Sequence, residues 1–314
     1  MTDATLQLAE QQKEAEFTDY LSLLKPRVMT LVVFTAFVGM CASPAYQHPF
    51  VMFVSILCIA AGGGAAGALN MWLDADIDSV MRRTLKRPIP AGKITANDAK
   101  ILGFSLSGFS VVMLGLSANW LAAFLLAFTI FFYIVIYTIW LKRSTPHNIV
   151  IGGAAGAFPP IIGWAAVSGS VSLDSVVMFA MIFFWTPPHF WALALFTRSD
   201  YEDAGVPMLT VTHGRRATRN HILFYSAVLS VLTISAGFLV FWGPIYVCTA
   251  AALNVKLLGS ALQIWNRGHL EAEADKFLVE RKFFKLSLFY LFAHFAAILL
   301  DGLLLSAFTL IFSF

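Results

Sequence analysis

The chain has 314 residues, of which 59% are hydrophobic and 12% are charged, and its mean hydropathy is +0.76. Soluble domains carry about 25% charged residues, so this composition excludes an ordinary soluble protein and indicates a polytopic membrane protein. The formal net charge of +3 comes from basic residues interleaved with apolar segments, which argues against nucleic-acid binding.

The chain begins with a polar segment over residues 1–21, which lacks the basic stretch and short apolar run of a cleavable signal peptide. Residues 22–314 are predicted to form one transmembrane domain. A membrane helix needs about 20 apolar residues, and the sequence predicts an all-α bundle of about nine such helices. The predicted spans are Pro26–Ala42, Pro49–Met71, Ile101–Leu116, Asn119–Leu141, Asn148–Val167, Asp174–Phe196, Ile222–Trp242, Pro244–Gln263 and Phe284–Phe312.

The distribution of basic residues predicts the orientation in the membrane. Every Lys and Arg except Lys256 lies in the N-terminal segment, in the opening turn of the first helix, or in the loops after the second, fourth, sixth and eighth helices. Basic loops stay in the cytoplasm. The N-terminus is therefore expected inside and, after nine spans, the C-terminus outside.

The second span leads into the stretch with the strongest functional signal. Asn70, Asp74, Asp78 and Arg82 follow at four-residue steps, which place side chains on one helix face about 6 Å apart along the axis. Asp76 lies about 200° around the helix from Asp74 and is expected to point elsewhere. Mg²⁺ commonly binds through one or two carboxylates together with substrate phosphates. The pattern indicates a metal site, with a solvated helix end as the alternative.

Four cations follow these acids within six residues, namely Arg82, Arg83, Lys86 and Arg87. Carboxylates that hold a metal and bases that neutralise phosphate are the two halves of a diphosphate site. Cytoplasmic retention of basic loops explains the cations but not the ordered acids before them. At the first helix, Lys25 and Arg27 are at least as well explained as topology anchors.

Small residues predict close helix contacts in two places. The second span contains the run Gly62–Gly67, which favours packing against a neighbouring helix over contact with a flat ligand. The fifth span is rich in glycine and contains Pro159 and Pro160. It is therefore predicted to be kinked and closely packed.

Further polar motifs lie toward the same side of the membrane. A short basic hinge, Lys142 and Arg143, ends the fourth span. His189 follows the pair Pro187–Pro188 in the sixth span, about two turns from its cytoplasmic end. An ionisable residue at that depth is a functional candidate, but a hydrogen bond to a carbonyl freed by the prolines explains it equally well.

A second acidic cluster follows the sixth span and includes Asp200 and Asp203. Two acidic clusters on the cytoplasmic side are expected to hold two Mg²⁺ ions around one diphosphate. The last cytoplasmic loop, Trp265–Lys285, mixes both signs of charge and is predicted to be a solvated hairpin. In the ninth span, His294 and Asp301 are expected to pair with other helices, without a chemical role.

These motifs resemble those of the UbiA-type intramembrane prenyltransferases. Four separated stretches most resemble the protohaem IX farnesyltransferase branch of that family, and the resemblance covers nearly all of the chain after its first twenty or so residues. The stretches read N-M-W-L-D-A-D-I-D-S-V-M-R-R-T, T-P-H-N-I-V-I-G-G-A-A-G-A-F-P-P, W-T-P-P-H-F-W-A-L-A and D-Y-E-D-A-G-V-P-M-L.

The resemblance implies that farnesyl diphosphate loses its diphosphate to give an allylic cation, that the 2-vinyl group of haem B attacks it, and that water completes the side chain of haem O. It implies a bacterial inner-membrane enzyme with a cytoplasmic active site. Haem A synthase or a terminal haem–copper oxidase would be partners, and nucleic acid would not. Haem B is a substrate rather than a cofactor, and the implied cofactor is Mg²⁺.

The resemblance also implies residue roles. The Mg²⁺ ligands would be Asp74, Asp78, Asp200 and Asp203, and Asn70 would orient this catalytic set. The cations that offset the charge of the departing diphosphate would be Arg82, Arg83, Lys142, Arg143 and Arg198. The candidates for holding haem are His189, which is preferred, and His147, with His294 as a third.

One departure from the family pattern affects this assignment. The second motif of the family is D-x-x-x-D, whereas here Asp200 is followed by Ala204 at that spacing and Asp203 comes one residue early. The nearest rival function is prenylation of a quinone precursor by the same fold. A transporter with broken helices and a non-catalytic haem-binding assembly factor are alternatives from other classes.

Overall fold

The computed structural model describes residues 15–312, with side chains for residues 15–305. Eight of its helices are long and apolar enough to cross a membrane. The helices α1 (Phe17–Leu23) and α2 (Pro26–Ala42), which are bent by 53° relative to each other, bring the number to nine when they are counted as one broken span. The predicted all-α architecture of about nine membrane helices is therefore confirmed.

The remaining helices follow the predicted spans closely. Four of the helices begin at a proline, which suits the first helical turn: they start at Pro26, Pro49, Pro159 and Pro244. They are α3 (Pro49–Leu73), α4 (Ala75–Val80), α5 (Ala96–Ser117), α6 (Trp120–Phe131) with a π-helix (Phe132–Leu141) continuing it, α7 (Asn148–Ala157), α8 (Pro159–Ser168), α9 (Leu173–Phe196), α10 (Arg198–Asp203), α11 (Leu209–Thr212), α12 (Gly214–Leu239), α13 (Pro244–Asn266), α14 (His269–Ala274) and α15 (Leu278–Phe312).

The predicted N-terminal segment lies partly outside the described residues. Where it is described, α1 occupies residues 17–23, and the buried Asp19 pairs with Lys93 at 2.7 Å. This contact fastens α1 to the loop before α5. The division between tail and membrane domain at residue 21 stays a prediction.

The predicted continuous helix from Asn70 to Arg82 is wrong in one respect. Asp74 has φ −96° and ψ 10°, so α3 ends there and the short α4 begins. The amide of Asp78 still donates to the carbonyl of Asp74 at 2.8 Å, which keeps these two residues one turn apart. Met81 is extended, and Arg82 therefore leaves the face that carries the acids.

The buried apolar residues form two main clusters, one in each half of the chain. The first includes Ile59, Leu114 and Leu126 from α3, α5 and α6. The second is built around α9, α12, α13 and α15 and includes Trp191 and Tyr246, both fully buried. The helices α2 and α8 contribute to both clusters, with Ala36 and Ile162 in the first and Val38 and Trp164 in the second, so their crossing lies between the two.

The α2–α8 crossing depends on two glycines. A Cβ at Gly39 would lie 2.2 Å from the carbonyl oxygen of Pro160, and one at Gly163 would lie 2.0 Å from that of Ala36. Only glycine lets the two backbones approach this closely. The fifth span is interrupted at Phe158, between α7 and α8, because Pro159 cannot donate a helical hydrogen bond; its predicted kink stays a prediction.

The glycine run of α3 serves helix packing, as expected. A Cβ at Gly62 would lie 2.9 Å from the side chain of Leu126 in α6, and one at Gly67 would lie 3.2 Å from the carbonyl oxygen of Leu23. The small residues therefore bring α3 against α6 and against the end of α1.

The segment Trp265–Lys285 is not the solvated hairpin that its mixed charge predicted. Glu280 is fully buried, and its carboxylate lies 3.7 Å from Nη2 of Arg219 and 3.4 Å from Nη1 of Arg267. Arg219 also donates to the backbone carbonyls of Arg267 and Gly268. This buried ion-pair cluster joins the start of α12, the end of α13 and the start of α15.

Of the two polar residues of the ninth span, Asp301 pairs with another helix, as predicted, whereas the hydrogen bond of His294 stays within α15. The carboxylate of Asp301 accepts from the amides of Ile245 and Tyr246 at 3.1 and 2.7 Å and so caps the start of α13. Nδ1 of His294 lies 2.8 Å from the carbonyl oxygen of Tyr290, one turn earlier in α15.

Candidate active site

Five segments bring polar side chains together at one end of the bundle. They are the start of α2, the end of α3 with α4, the loop after α4, the end of the π-helix, and α10. The acids Asp74, Asp78 and Asp200 are all buried there. A buried carboxylate requires a cation, a hydrogen bond or a metal, so the partners of each acid define the site.

Asp74 lies at the centre of the first group of contacts. Its Oδ2 lies 2.5 Å from Nζ of Lys142 and 2.7 Å from the side-chain amide nitrogen of Asn70. That amide also donates to Oγ1 of Thr138 at 3.1 Å, and Asn70 Oδ1 accepts from Nζ of Lys25 at 2.6 Å. Asn70 thus bridges the acid to a second cation and fixes the orientation of both.

The π-helix positions Lys142 and Thr138 for these contacts. Oγ1 of Thr138 donates to the carbonyl of Tyr133, five residues earlier, at 2.8 Å. The amide of Lys142 donates to the carbonyl of Tyr137, again five residues earlier, at 2.8 Å. This wider turn is often found at functional sites, and here it ends where the cation meets Asp74.

Arg143 lies on the outer side of the site. Its guanidinium forms a bidentate pair with Asp76 at 2.7 and 2.8 Å and donates to the carbonyl of Leu73 at 3.1 Å. The hydrogen bond from Arg143 lowers the pKa of Asp76 to about 2, so this acid is charged at neutral pH. Asp76 therefore points away from Asp74, as predicted, and Arg143 approaches Asp74 only to 4.0 Å.

The second group of contacts surrounds Asp78. Its Oδ2 lies 2.6 Å from Nη1 of Arg87, in the loop after α4. The hydroxyl of Thr84 donates to the carbonyl of Asp78 at 2.9 Å and so folds this loop back over α4. Of the four cations in this loop, Arg87 is thus the one whose side chain pairs with a buried acid. The side chains of Arg82 and Arg83 do not form such a pair among the described residues.

The two acidic clusters meet, as the sequence predicted. Oδ2 of Asp200 accepts from the backbone amide of Arg83 at 3.4 Å. Beneath them, Ile77 of α4 and Tyr201 of α10 belong to one buried apolar cluster together with Met81. The helix ends that carry Asp74, Asp78 and Asp200 therefore pack side by side.

The donor set suits Mg²⁺ that also binds a substrate phosphate. Among the described residues no three His, Cys, Asp or Glu side chains are placed to hold a metal by themselves. Oδ1 of Asp74 is nevertheless buried and has no hydrogen-bond partner among the residues that the structure describes. A carboxylate oxygen of this kind, near Asp78 and cations, matches the usual Mg²⁺ site of one or two carboxylates completed by phosphate.

Several predicted site residues do not join this network. Arg82 is exposed, and Arg198 pairs with Glu202 on its own helix at 3.7 Å. Asp203 is also exposed, and its carboxylate forms no hydrogen bond or ion pair with another described residue. His147 is exposed at the start of α7. Their proposed roles stay predictions that the contacts do not favour.

His189 is buried but does not use the partner expected for a kinked helix. Its Nδ1 lies 2.7 Å from Oγ of Ser287 in α15, rather than at a carbonyl freed by the proline pair. Its ring lies between the rings of Trp185 and Phe284, each 4.3 Å away by centroid. Nε2 has no hydrogen-bond partner among the described residues, so a ligand role for this nitrogen stays a prediction.

Three contacts of the site escape sequence reasoning. The sequence explains Lys25 at least as well as a topology anchor, yet its side chain contacts Asn70. Its backbone has φ +51°, a left-handed conformation that no local sequence motif predicts. Thr138 depends on the π-helix, which apolar periodicity does not predict. Arg87 belongs to the predicted run of four cations, but its selection requires the fold of the loop.

Comparison with known proteins agrees with this geometry. Residues 32–289 match the model of the UbiA prenyltransferase family. The chain is 62% identical to a protein named protoheme IX farnesyltransferase from Ruegeria pomeroyi over 96% of this chain and 95% of that one. It is 59% identical to one of the same name from Paracoccus denitrificans over 95% and 98%.

Solved structures share the fold. A UbiA homologue from Archaeoglobus fulgidus, bound to DMAPP and Mg²⁺, has a TM-score of 0.64 and 16% identity over 89% of this chain and 99% of that one. A structure reported for digeranylgeranylglyceryl phosphate synthase in membranes has a TM-score of 0.71 and 16% identity over 91% and 98%.

Proposed function

This chain belongs to the UbiA prenyltransferase family, and from that premise we propose that it transfers the farnesyl group of farnesyl diphosphate to the 2-vinyl group of haem B, giving haem O. The protein names of its relatives support the acceptor and the donor. The observation that carries the proposal is the convergence of buried Asp74, Asp78 and Asp200 with cations at one end of the bundle.

The reaction begins with loss of diphosphate from C1 of the farnesyl chain, which leaves an allylic cation. Lys142, Lys25 and Arg87 supply positive charge where the leaving group becomes more negative. Charge that is already fixed in place stabilises the transition state without reorganisation. Because Asn70 holds both Lys25 and Asp74 by hydrogen bonds, it keeps this arrangement before substrate arrives.

Asp74, Asp78 and Asp200 are the residues that would hold Mg²⁺. When bound, the metal supplies Lewis-acid neutralisation of the diphosphate oxygens. The carboxylates would serve as its anchors, and the lysine and arginine side chains beside them would add their positive charge to that of the metal. The Archaeoglobus homologue, bound to Mg²⁺ and a prenyl diphosphate, supports this assignment through the fold alone.

The second half of the reaction forms a carbon–carbon bond. The vinyl group of haem B attacks C1 of the allylic cation, which moves the positive charge to the vinyl carbon next to the macrocycle. Water adds there and loses a proton, giving the hydroxyethylfarnesyl side chain, diphosphate and one proton. The apolar helix faces beside the site keep water away from the first cation until it reacts.

The proposed setting is a bacterial plasma membrane with the site facing the cytoplasm. The support is the placement of basic residues, since the site lies at the end of the bundle where the basic loops gather. The product would pass to haem A synthase or to a terminal oxidase.

The function is tested with purified protein in lipid nanodiscs, supplied with haem B, farnesyl diphosphate and Mg²⁺. The extracted pigments are separated by chromatography, and their molecular masses are measured by mass spectrometry. The expected product carries one farnesyl group and one hydroxyl group more than haem B, and chelation of Mg²⁺ is expected to stop its formation. A protein that left haem B unchanged but prenylated an aromatic quinone precursor would establish the rival function.

A further inference from the structure

We propose that haem B docks by its two propionates in a groove between the end of α9 and the start of α15, which we name the α9–α15 groove. Its lining residues are Leu193, Phe196, Arg281, Lys282, Phe284 and Lys285, and its volume is about 430 Å³. This inference rests on the proposed function, because it takes haem B to be the substrate.

The groove combines an apolar wall with charge of one sign. Phe196 and Phe284 lie 6.2 Å apart by ring centroid and meet edge to face. Arg281 stacks over the ring of Phe196 at 4.3 Å, and Lys282 and Lys285 are exposed. A flat apolar macrocycle with two carboxylates at one edge matches this pairing of aromatic surface and cations.

The positive charge of the groove is not neutralised within the described part of the chain. No acid there pairs with Arg281, Lys282 or Lys285, because the nearby Glu280 is buried against Arg219 and Arg267 on the inner side of α15. Arg281 also lies in the first turn of α15, where the helix dipole disfavours a cation. An anionic ligand would remove both unfavourable features.

The groove is also placed next to His189 and to the segment that leads to Asp200. Phe284 lines it and stacks on the ring of His189. Phe196 ends α9, and Asp200 follows four residues later in α10. A macrocycle held here by its propionates would therefore lie beside His189 and near the acidic end of the bundle.

The test compares haem B with its dimethyl ester, which lacks the two carboxylates. Both are titrated into the protein in nanodiscs of zwitterionic lipid, and binding is followed by the haem absorbance band. The unchanged protein is expected to prefer the diacid by about tenfold, as two partly exposed ion pairs would give. The double variant Lys282→Gln/Lys285→Gln is expected to lose most of that preference while keeping its affinity for the ester.

Lys276→Gln provides the matched control, because Lys276 is an exposed cation just before α15 that does not line the groove. It is expected to keep the preference for the diacid. The proposal is overturned if the double variant retains that preference, including the case in which both ligands weaken equally. It is also overturned if the variant differs from the unchanged protein only in nanodiscs of anionic lipid, which would assign the lysines to lipid headgroups.

Haem O formation is measured separately, so that the two proposals fail independently. Product formation without any preference for the diacid would reject the groove and leave the proposed function standing. A preference that depends on Lys282 and Lys285, without any product from the unchanged protein, would reject the function and leave a haem-binding groove.

Discussion

Two aspartates that lie two residues apart provide a sharp test of the site. Asp74→Asn and Asp76→Asn make the same chemical change on the same segment. The side chain of Asp74 is 0% exposed and is held by Lys142 and Asn70, whereas that of Asp76 is 62% exposed and pairs with Arg143. The sequence places both in one acidic run, and the structure assigns only the first to the site.

The expected magnitudes differ by about two orders. Removing one preorganised charge from a reaction site lowers the rate by about 100- to 1,000-fold, and we expect this for Asp74→Asn. The exposed Asp76–Arg143 pair contributes roughly 0.2–1 kcal/mol, so Asp76→Asn is expected to change the rate by no more than about fivefold. The pKa of Asp76, held at about 2 by Arg143, means that this control removes a real charge at neutral pH.

The assay is the initial rate of haem O formation in nanodiscs at saturating haem B and farnesyl diphosphate. Thermal unfolding of each variant, followed by intrinsic fluorescence, separates a loss of rate from a loss of folded protein. Equal losses for the two variants would refute the assignment of the reaction to the buried acid. Full activity of a folded Asp74→Asn variant would refute the proposed mechanism as a whole.

Three further comparisons follow from the contacts. Asp200→Asn is expected to lower the rate by at least about 100-fold and Asp203→Asn to leave it nearly unchanged; equal rates would contradict the packing of the two acidic helix ends. Gly163→Ala is expected to lower the unfolding temperature because its Cβ meets backbone, whereas Gly156→Ala, with nothing within 4 Å, should not; identical temperatures would argue against the tight crossing. Glu280→Gln is expected to speed hydrogen exchange in the segment Trp265–Lys285, and unchanged exchange would contradict the buried ion pairs of Glu280.

Much of this architecture was predictable because membrane spans are set by one strong constraint. In hydrocarbon every backbone group needs a partner within the helix, so long apolar runs identify the spans directly. The beginnings of α2, α3 and α13 fall at the predicted prolines. The meeting of the two acidic clusters was also predictable, since the second and sixth predicted spans, which precede the clusters, end on the same side of the membrane.

The contacts within the site were less predictable because they depend on local departures from helix geometry. The break at Asp74 removes Arg82 from the predicted face, and the positive φ of Lys25 brings that side chain to Asn70. The mixed charge of Trp265–Lys285 predicts a solvated hairpin, yet Glu280 is buried and pairs with arginines from the start of α12 and the end of α13. Tertiary partners of this kind leave no periodic signal in the chain.

The π-helix at Phe132–Leu141 determines how the length of the fourth membrane span can vary among homologues. Its wider turns accommodate one residue more than a regular helix of the same rise, so it behaves as an absorbed insertion. Deleting one residue within it would restore regular winding and leave Lys142 on the same side of the axis, whereas the same number of residues wound as a regular helix would carry Lys142 about 100° around it. Homologues that keep a cation opposite Asp74 should therefore have the π-helix where they have the same residue count between Asn119 and Lys142, and a regular helix where they have one residue fewer.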